Sequence, residues 1–354
     1  MPLDRRPLTP LGRLLMTLAG AVIVLAGIRA ASPVIGPVVI ALMLTIAWSP
    51  GATWLEKRGF PSSVAALTGI VLGVLFVALF AILLWSSLGQ LQDKLPEYQP
   101  RVAAIRESIV QLLAKLPFET PDILSSEALQ PGAIMGYAVG LIRNLTSAAG
   151  AVAGLVLIMA FMMIEAVKYP QKLLDALSSS GAVSESLARF GESMRSYVLI
   201  NFVFGLIQAV LNTALLLALG VDFAILWGLV SFVLSFLPNV GFVLALVPPA
   251  LLALLQYGFG RAIGVVVGFA LVNVIVDTLI KPRFVGESLD LSPAVVLLSL
   301  IFWSWMLGPS GALLAVPLSL AMKFMFESFD ETHWIAHLMS DAKPASAAES
   351  ASSA

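Results

Sequence analysis

The chain of 354 residues is 59% hydrophobic and only 12% charged, with a mean hydropathy of +0.97. Ordinary soluble domains carry about 25% charged residues, so this composition belongs in a bilayer. A formal net charge of −1 implies no nucleic-acid partner, and the absence of cysteine excludes a disulfide framework, thiol catalysis and a Cys-ligated metal.

Several charge-free runs reach the about 20 apolar residues that a helical crossing needs, and none alternates as a barrel strand would. The expected fold is all-α: a polytopic integral membrane protein with about eight membrane segments. One membrane domain is expected over 1–340, followed by a Ser- and Ala-rich tail at 341–354 that reads as disorder.

In chain order, Arg5, Arg6 and Arg13 precede an apolar run at 14–31, and a second run at 34–55 ends in Glu56, Lys57 and Arg58. This is a helical hairpin whose two charged ends face the cytoplasm by the positive-inside rule. The charged start and the small residues Ala30, Ala31 and Ser32 also fit a signal peptide, but the second span that follows at once favours an uncleaved anchor. A third span at 64–88 leads outward. Across 90–143 charges of both signs mix with Pro96, Pro100, Pro117, Pro121 and Pro131, while Val102, Ile105, Ile109, Leu112 and Leu116 recur at helical spacing. The expectation there is an extramembrane insert of one amphipathic helix and a loop. A fourth span at 145–165 returns inward. A second amphipathic helix, 184–197, lies on the inner face and leads into a fifth span at 198–220; residues 262–281 form a sixth.

Two segments are interrupted. From Phe223 to Gly260 no Asp, Glu, Lys or Arg occurs, nearly twice the about 20 residues of one crossing, and Pro238, Asn239 and Gly241 divide the run. From Leu291 to Met322 the pattern repeats, divided by Gly308, Pro309, Ser310 and Gly311. Each broken segment, 223–258 and 291–326, is either one kinked span or a re-entrant hairpin. The hairpin reading leaves Lys281 and Arg283 inside and Arg261 outside, with one more positive residue in the cytoplasm than the kinked reading. It also gives the inverted arrangement of secondary transporters. Unwound backbone at membrane depth is tolerated only in protein or against water, so two breaks suggest a binding site. Between them, Asn273 and Asp277 stand at i,i+4 on one helix face. An intramembrane carboxylate is a functional-site candidate; an ion pair with Lys281, one turn along, is the alternative role for Asp277.

Three stretches, FLPNVGFVLALVPPALLAL, DTLIKPRFVGESLDLSP and WMLGPSGALLAVPL, resemble the autoinducer-2 exporter family in their order and spacing. Pro238, Gly241, Asp277, Pro282, Gly286, Pro293, Gly308, Gly311 and Pro317 fit that pattern, whereas Asn239 stands where the family has an aromatic residue and Thr278 where it often has Asn. The resemblance implies a bacterial inner-membrane transporter. Members are described as exporters of the furanone autoinducer-2 or as sodium or lithium/proton antiporters, and homologues as homopentamers with two hairpins at the substrate site and an elevator-type movement.

The expected function is therefore ion-coupled export of a small polar solute, with both termini cytoplasmic. The substrate would be bound by Pro238, Asn239, Gly241, Asn273, Gly308, Pro309, Ser310 and Gly311, and Asp277 would carry the coupling proton or ion. Antiport of a monovalent cation against protons is the alternative within transport, and a non-transporting membrane scaffold the alternative outside it. No HExxH, GxSxG or clustered acidic motif occurs, and the two histidines, His333 and His337, both lie near the C-terminus. Neither an enzyme nor a cofactor or metal is expected.

Overall fold

The computed structural model describes residues 10–113, 131–166, 181–238, 240–285, 291–329 and 331–340, and no β-strand occurs among them. Asn239, the middle of the 90–143 insert and the 341–354 tail lie outside the described residues. Helix α1 (Pro10–Ala30) and helix α2 (Ser32–Lys57) are separated at Ala31 and meet at 74°. Pro33 in the first turn of α2 has no N–H to extend the preceding ladder, and its fixed φ suits a helix start.

Helix α3 (Ser62–Leu113) has 52 residues, a rod of about 78 Å at 1.5 Å per residue. Its apolar first part is long enough to cross a bilayer, and its charged second part continues the same helix through Pro96 and Pro100. The part of the insert up to Leu113 is thus an extension of the third span and not a separate helix. Both prolines fall beyond the apolar run, where water can satisfy the carbonyls that their missing N–H groups leave open. Helix α4 (Pro131–Ala166) packs along α3 and α2, and α5 (Gly181–Ala218) joins the charged 184–197 stretch to the fifth apolar run in one helix.

Gly220, at φ 70°, ends α5. The Val221 N–H reaches the Leu216 carbonyl at 2.9 Å and the Gly220 N–H the Leu217 carbonyl at 3.0 Å, a Schellman motif that needs a left-handed residue. Helices α6 (Ala224–Leu234) and α7 (Val240–Tyr257) then fold back on each other. Their base is closed by the Asp222 N–H, which donates to Gln256 Oε1 at 3.2 Å, and their turn lies at Pro238. Gly241 is required there, since a Cβ would meet the Leu234 carbonyl.

Helix α8 (Phe259–Asn273) follows and widens into a π-helical stretch, Val274–Ile280, before the short α9 (Pro282–Val285). A proline follows directly at 282 and has no N–H to donate to the Thr278 carbonyl four residues back, so the regular ladder cannot continue there. Helices α10 (Pro293–Leu307) and α11 (Pro309–Glu327) make a second hairpin around Gly308, at φ 65°. Ser319 donates to Ser299 at 2.6 Å and accepts from Trp303 Nε1 at 3.1 Å, holding the two helices side by side. Helix α12 (His333–Met339) returns to this hairpin's base, where the Ser292 N–H donates to the Met339 carbonyl at 3.0 Å.

Five helices among the described residues are long and apolar enough to cross a membrane, six if the bent α1–α2 pair counts as one span. Each hairpin joins a shorter helix to a longer one, 11 with 18 residues and 15 with 19. The core between them is aromatic: Phe202 and Phe232 meet edge to face at 5.5 Å, with Phe76 5.2 Å from Phe202 and Phe236 5.8 Å from Phe232. Large apolar side chains such as Ile23, Leu75, Ile82, Leu217 and Ile301 face outward and exposed, as lipid-facing positions must.

Candidate functional site

Helix α5 carries Asn201, Gln208 and Asn212 in an otherwise apolar run, at spacings that keep them on one face, and all three are buried. Close approach of α6 covers that face. Gly205 lies against Ser235, and a Cβ on Gly228 would meet the Thr213 hydroxyl, the small-residue contact typical of membrane helix pairs.

The π-helical stretch presents Asp277 to the same face. Its Oδ2 accepts from Asn273 Nδ2 at 2.8 Å and from Gln208 Nε2 at 3.2 Å, and its Oδ1 accepts from Lys281 Nζ at 3.2 Å. Widened turns of this kind occur often at functional sites. The widening is visible in the Lys281 N–H, which reaches the Val276 carbonyl five residues back at 2.9 Å. Acid before base at i,i+4 is the favourable order for a helical pair.

Around this carboxylate lies a cavity of about 470 Å³, within the roughly 300–1,000 Å³ range of small-molecule sites. Gln208 and Asn212 of α5, Ser231 and Ser235 of α6, Pro238 and Gly241 at the hairpin turn, and Asn273, Asp277, Thr278 and Lys281 form its polar and structural lining. Phe242 and Phe269 close its apolar side. Among the described residues of the lining, Asp277 and Lys281 are the charged ones, with formal charges that cancel. Two of these lining residues are different in kind: Asn212 and Ser231 are 2% and 3% exposed, and Asn212 Oδ1 and Ser231 Oγ have no hydrogen-bond partner among the described residues. Each such buried atom costs about 1–3 kcal/mol when left unmatched.

Of the residues expected to bind substrate, Pro238, Gly241 and Asn273 thus share one cavity with Asp277. Gly308, Pro309, Ser310 and Gly311 form the turn of the other hairpin and are not among its lining residues. There Ser310 packs against Gly36 of α2, and a Cβ on Gly311 would meet the Trp303 carbonyl. Asp277 is paired with Lys281 and also lines the cavity. Sequence reasoning passed over Gln208, Asn212, Ser231 and Ser235; the polar positions of α5, spaced by seven and four within an apolar run, were the available signal.

The AI-2E family transporter model matches residues 14–331. AI-2 transport protein TqsA of Escherichia coli (strain K12) is 31% identical over 329 residues, covering 93% of this chain and 96% of its own. A relative from Haemophilus influenzae is 32% identical over 340 residues, 94% of this chain and 97% of its own. YhhT of Escherichia coli (strain K12) is 31% identical over 338 residues, 94% and 95% of the two chains.

Proposed function

The chain belongs to the AI-2E family of multi-pass membrane transporters, and from that premise we propose that it is a secondary transporter of the bacterial inner membrane that exports a small polar solute such as autoinducer-2. The observation that carries this reading is a small-molecule-sized cavity, amid apolar helices, containing a carboxylate held by an amide from each of two helices and by one ammonium. A polar solute enters such a cavity at less cost than it enters lipid.

Asp277 is the coupling group in this reading. Protonation of the carboxylate cancels its attraction for Lys281 and releases the ammonium, so proton binding and the state of the cavity are linked. Pro238, Gly241 and Asn273 shape the same cavity, and the Gly308–Gly311 turn of the second hairpin acts from its own position. The two hairpins re-enter the membrane from opposite faces, with both termini cytoplasmic. Their placement supports this: the first base adjoins the start of α8, where Arg261 donates to the Leu219 carbonyl at 2.9 Å, and the second hairpin follows the far end of that helix. The hairpins then move as an elevator within a homopentamer, whose interfaces would cover part of the exposed apolar surface. Native mass spectrometry in mild detergent tests the assembly; monomer or dimer alone would contradict it.

Sodium or lithium/proton antiport is the second reading, favoured by the presence of a cavity-facing carboxylate. Lys281 weighs against it, because the ammonium already sits where a metal cation would bind Asp277 Oδ1. Counterflow of autoinducer-2 in proteoliposomes under a pH gradient separates the two. Uptake driven by the gradient supports export, and sodium-driven pH change without organic solute supports antiport.

A further inference from the structure

The cavity has two unlike ends. At one, Asp277 has donors from its own neighbours on both oxygens. At the other, one helical turn along α5 from Gln208, the buried Asn212 Oδ1 has no partner among the described residues, and neither has Ser231 Oγ of α6, a residue of the same lining. Below them the close packing of Gly228 against Thr213 seals α5 to α6. Two buried polar atoms of the lining residues are thus unmatched among the described residues.

We propose that Asn212 and Ser231 form a hydroxyl-binding floor that selects uncharged, hydroxyl-bearing solutes, an inference that rests on reading this cavity as the solute site. Asn212 Oδ1 is an acceptor and requires a donor from the guest, while the Ser231 hydroxyl both donates and accepts. One alcohol group placed between them satisfies both. An ether in its place still accepts from Ser231 but offers Asn212 Oδ1 no donor, and a deoxy position satisfies neither; buried polar groups left unpaired are the strongest source of such discrimination. The guest is uncharged because Asp277 and Lys281 neutralise each other. A charged guest would have to break that pair or remain without a counter-charge in a poorly solvated site. Phe242 and Phe269 leave the carbon skeleton an apolar wall.

The test is binding by the full-length protein in nanodiscs, read as saturable thermal stabilisation and by equilibrium dialysis. The probes are ribose, xylitol, the 2-, 3- and 5-deoxyriboses, and the anion ribonate. Wild type is expected to bind at least one of the uncharged hydroxylated probes, to prefer it to at least one deoxy counterpart by roughly tenfold, and to show no saturable response to ribonate. Ser231→Ala and Asn212→Ser should each weaken the hydroxylated probe about tenfold while leaving that deoxy counterpart within about twofold, so the preference collapses. Ser231→Ala is small enough to keep the fold if Asn212→Ser does not. No saturable binding of any uncharged probe, equal losses for the hydroxylated and deoxy forms, or tighter binding of ribonate would overturn the floor. If a probe binds with this signature but never accumulates in energised vesicles, the floor stands and the transport reading fails.

Discussion

The Asp222 N–H and the Gln256 side-chain oxygen, 34 residues apart in the chain, meet at 3.2 Å and close the base of the α6–α7 hairpin. Tyr98 of the α3 extension completes the joint. Its hydroxyl donates to Asp222 Oδ2 at 2.8 Å and accepts from Gln256 Nε2 at 2.9 Å, while Lys94 approaches the same carboxylate oxygen at 3.2 Å. The burial of these groups ranks their effects, since Tyr98 is 5% exposed and the Lys94 side chain 48%. Tyr98→Phe removes two bonds in a buried place and should cost about 1–3 kcal/mol. Lys94→Gln removes an exposed ion pair worth no more than about 1 kcal/mol. Thermal melting of the purified variants measures both, and equal losses would contradict this account of the joint.

Both hairpin turns depend on a glycine against a backbone carbonyl. Gly241→Ala and Gly311→Ala would each drive a methyl into main-chain oxygen, of Leu234 and Trp303 respectively, which side-chain rotation cannot relieve. Each should lower stability by at least about 1–3 kcal/mol. Gly150→Ala in α4 meets nothing within 4 Å and is the control, expected to be neutral or to gain about 0.5–1 kcal/mol in helix propensity. Folded yield and melting temperature of the three variants give the comparison.

The proposed membrane placement puts Phe259 outside and Phe284 inside. Both side chains are exposed, at 63% and 65%, and the chain has no native cysteine. A cysteine at 259 should react with an impermeant maleimide on intact cells, and one at 284 only after permeabilisation. The reverse pattern would replace the re-entrant hairpins with kinked crossings.

Gln208→Leu removes one of the two donors to Asp277 Oδ2 while Asn273 keeps the other. Transport should fall about tenfold or more, as for one hydrogen bond to a charged group, with assembly unchanged. A variant that transports at the wild-type rate would remove α5 from the site.

The helical class was readable because charge-free runs of membrane length leave little else for the backbone to form in lipid. The breaks at Pro238 and Gly308 were readable for a local reason: proline and positive-φ glycine act on their own turn. Asn273 and Asp277 were paired by helical spacing alone. What spacing along one helix does not carry is which other helix covers it. Gln208 reaches the carboxylate because α5 packs against the π-helical stretch, and Gly205 and Gly228 bring α6 onto the same face beside Asn212, relationships across helices. For the same reason the two hairpin turns, alike in sequence pattern, occupy different surroundings, one at the Asp277 cavity and one against Gly36. The sequence marks 90–143 as an insert of one amphipathic helix and a loop by its mixed charges and spacing; up to Leu113 it continues α3, since Pro96 and Pro100 are tolerated within a continuous helix outside the apolar run.

The central claim, that Asp277 couples the cavity to the proton gradient, is tested most directly by autoinducer-2 transport in inverted vesicles under an imposed pH gradient. Wild type, Asp277→Asn, Lys281→Gln and the double variant are compared at equal oligomer yield. Asp277→Asn keeps size and hydrogen bonding but cannot exchange a proton, so gradient-driven transport should fall to background, and the double variant should stay there. Lys281→Gln alone keeps the carboxylate and should retain measurable gradient-driven transport. Wild-type transport in Asp277→Asn, or full recovery in the double variant, would show that Asp277 serves only to balance Lys281 and would contradict the coupling role.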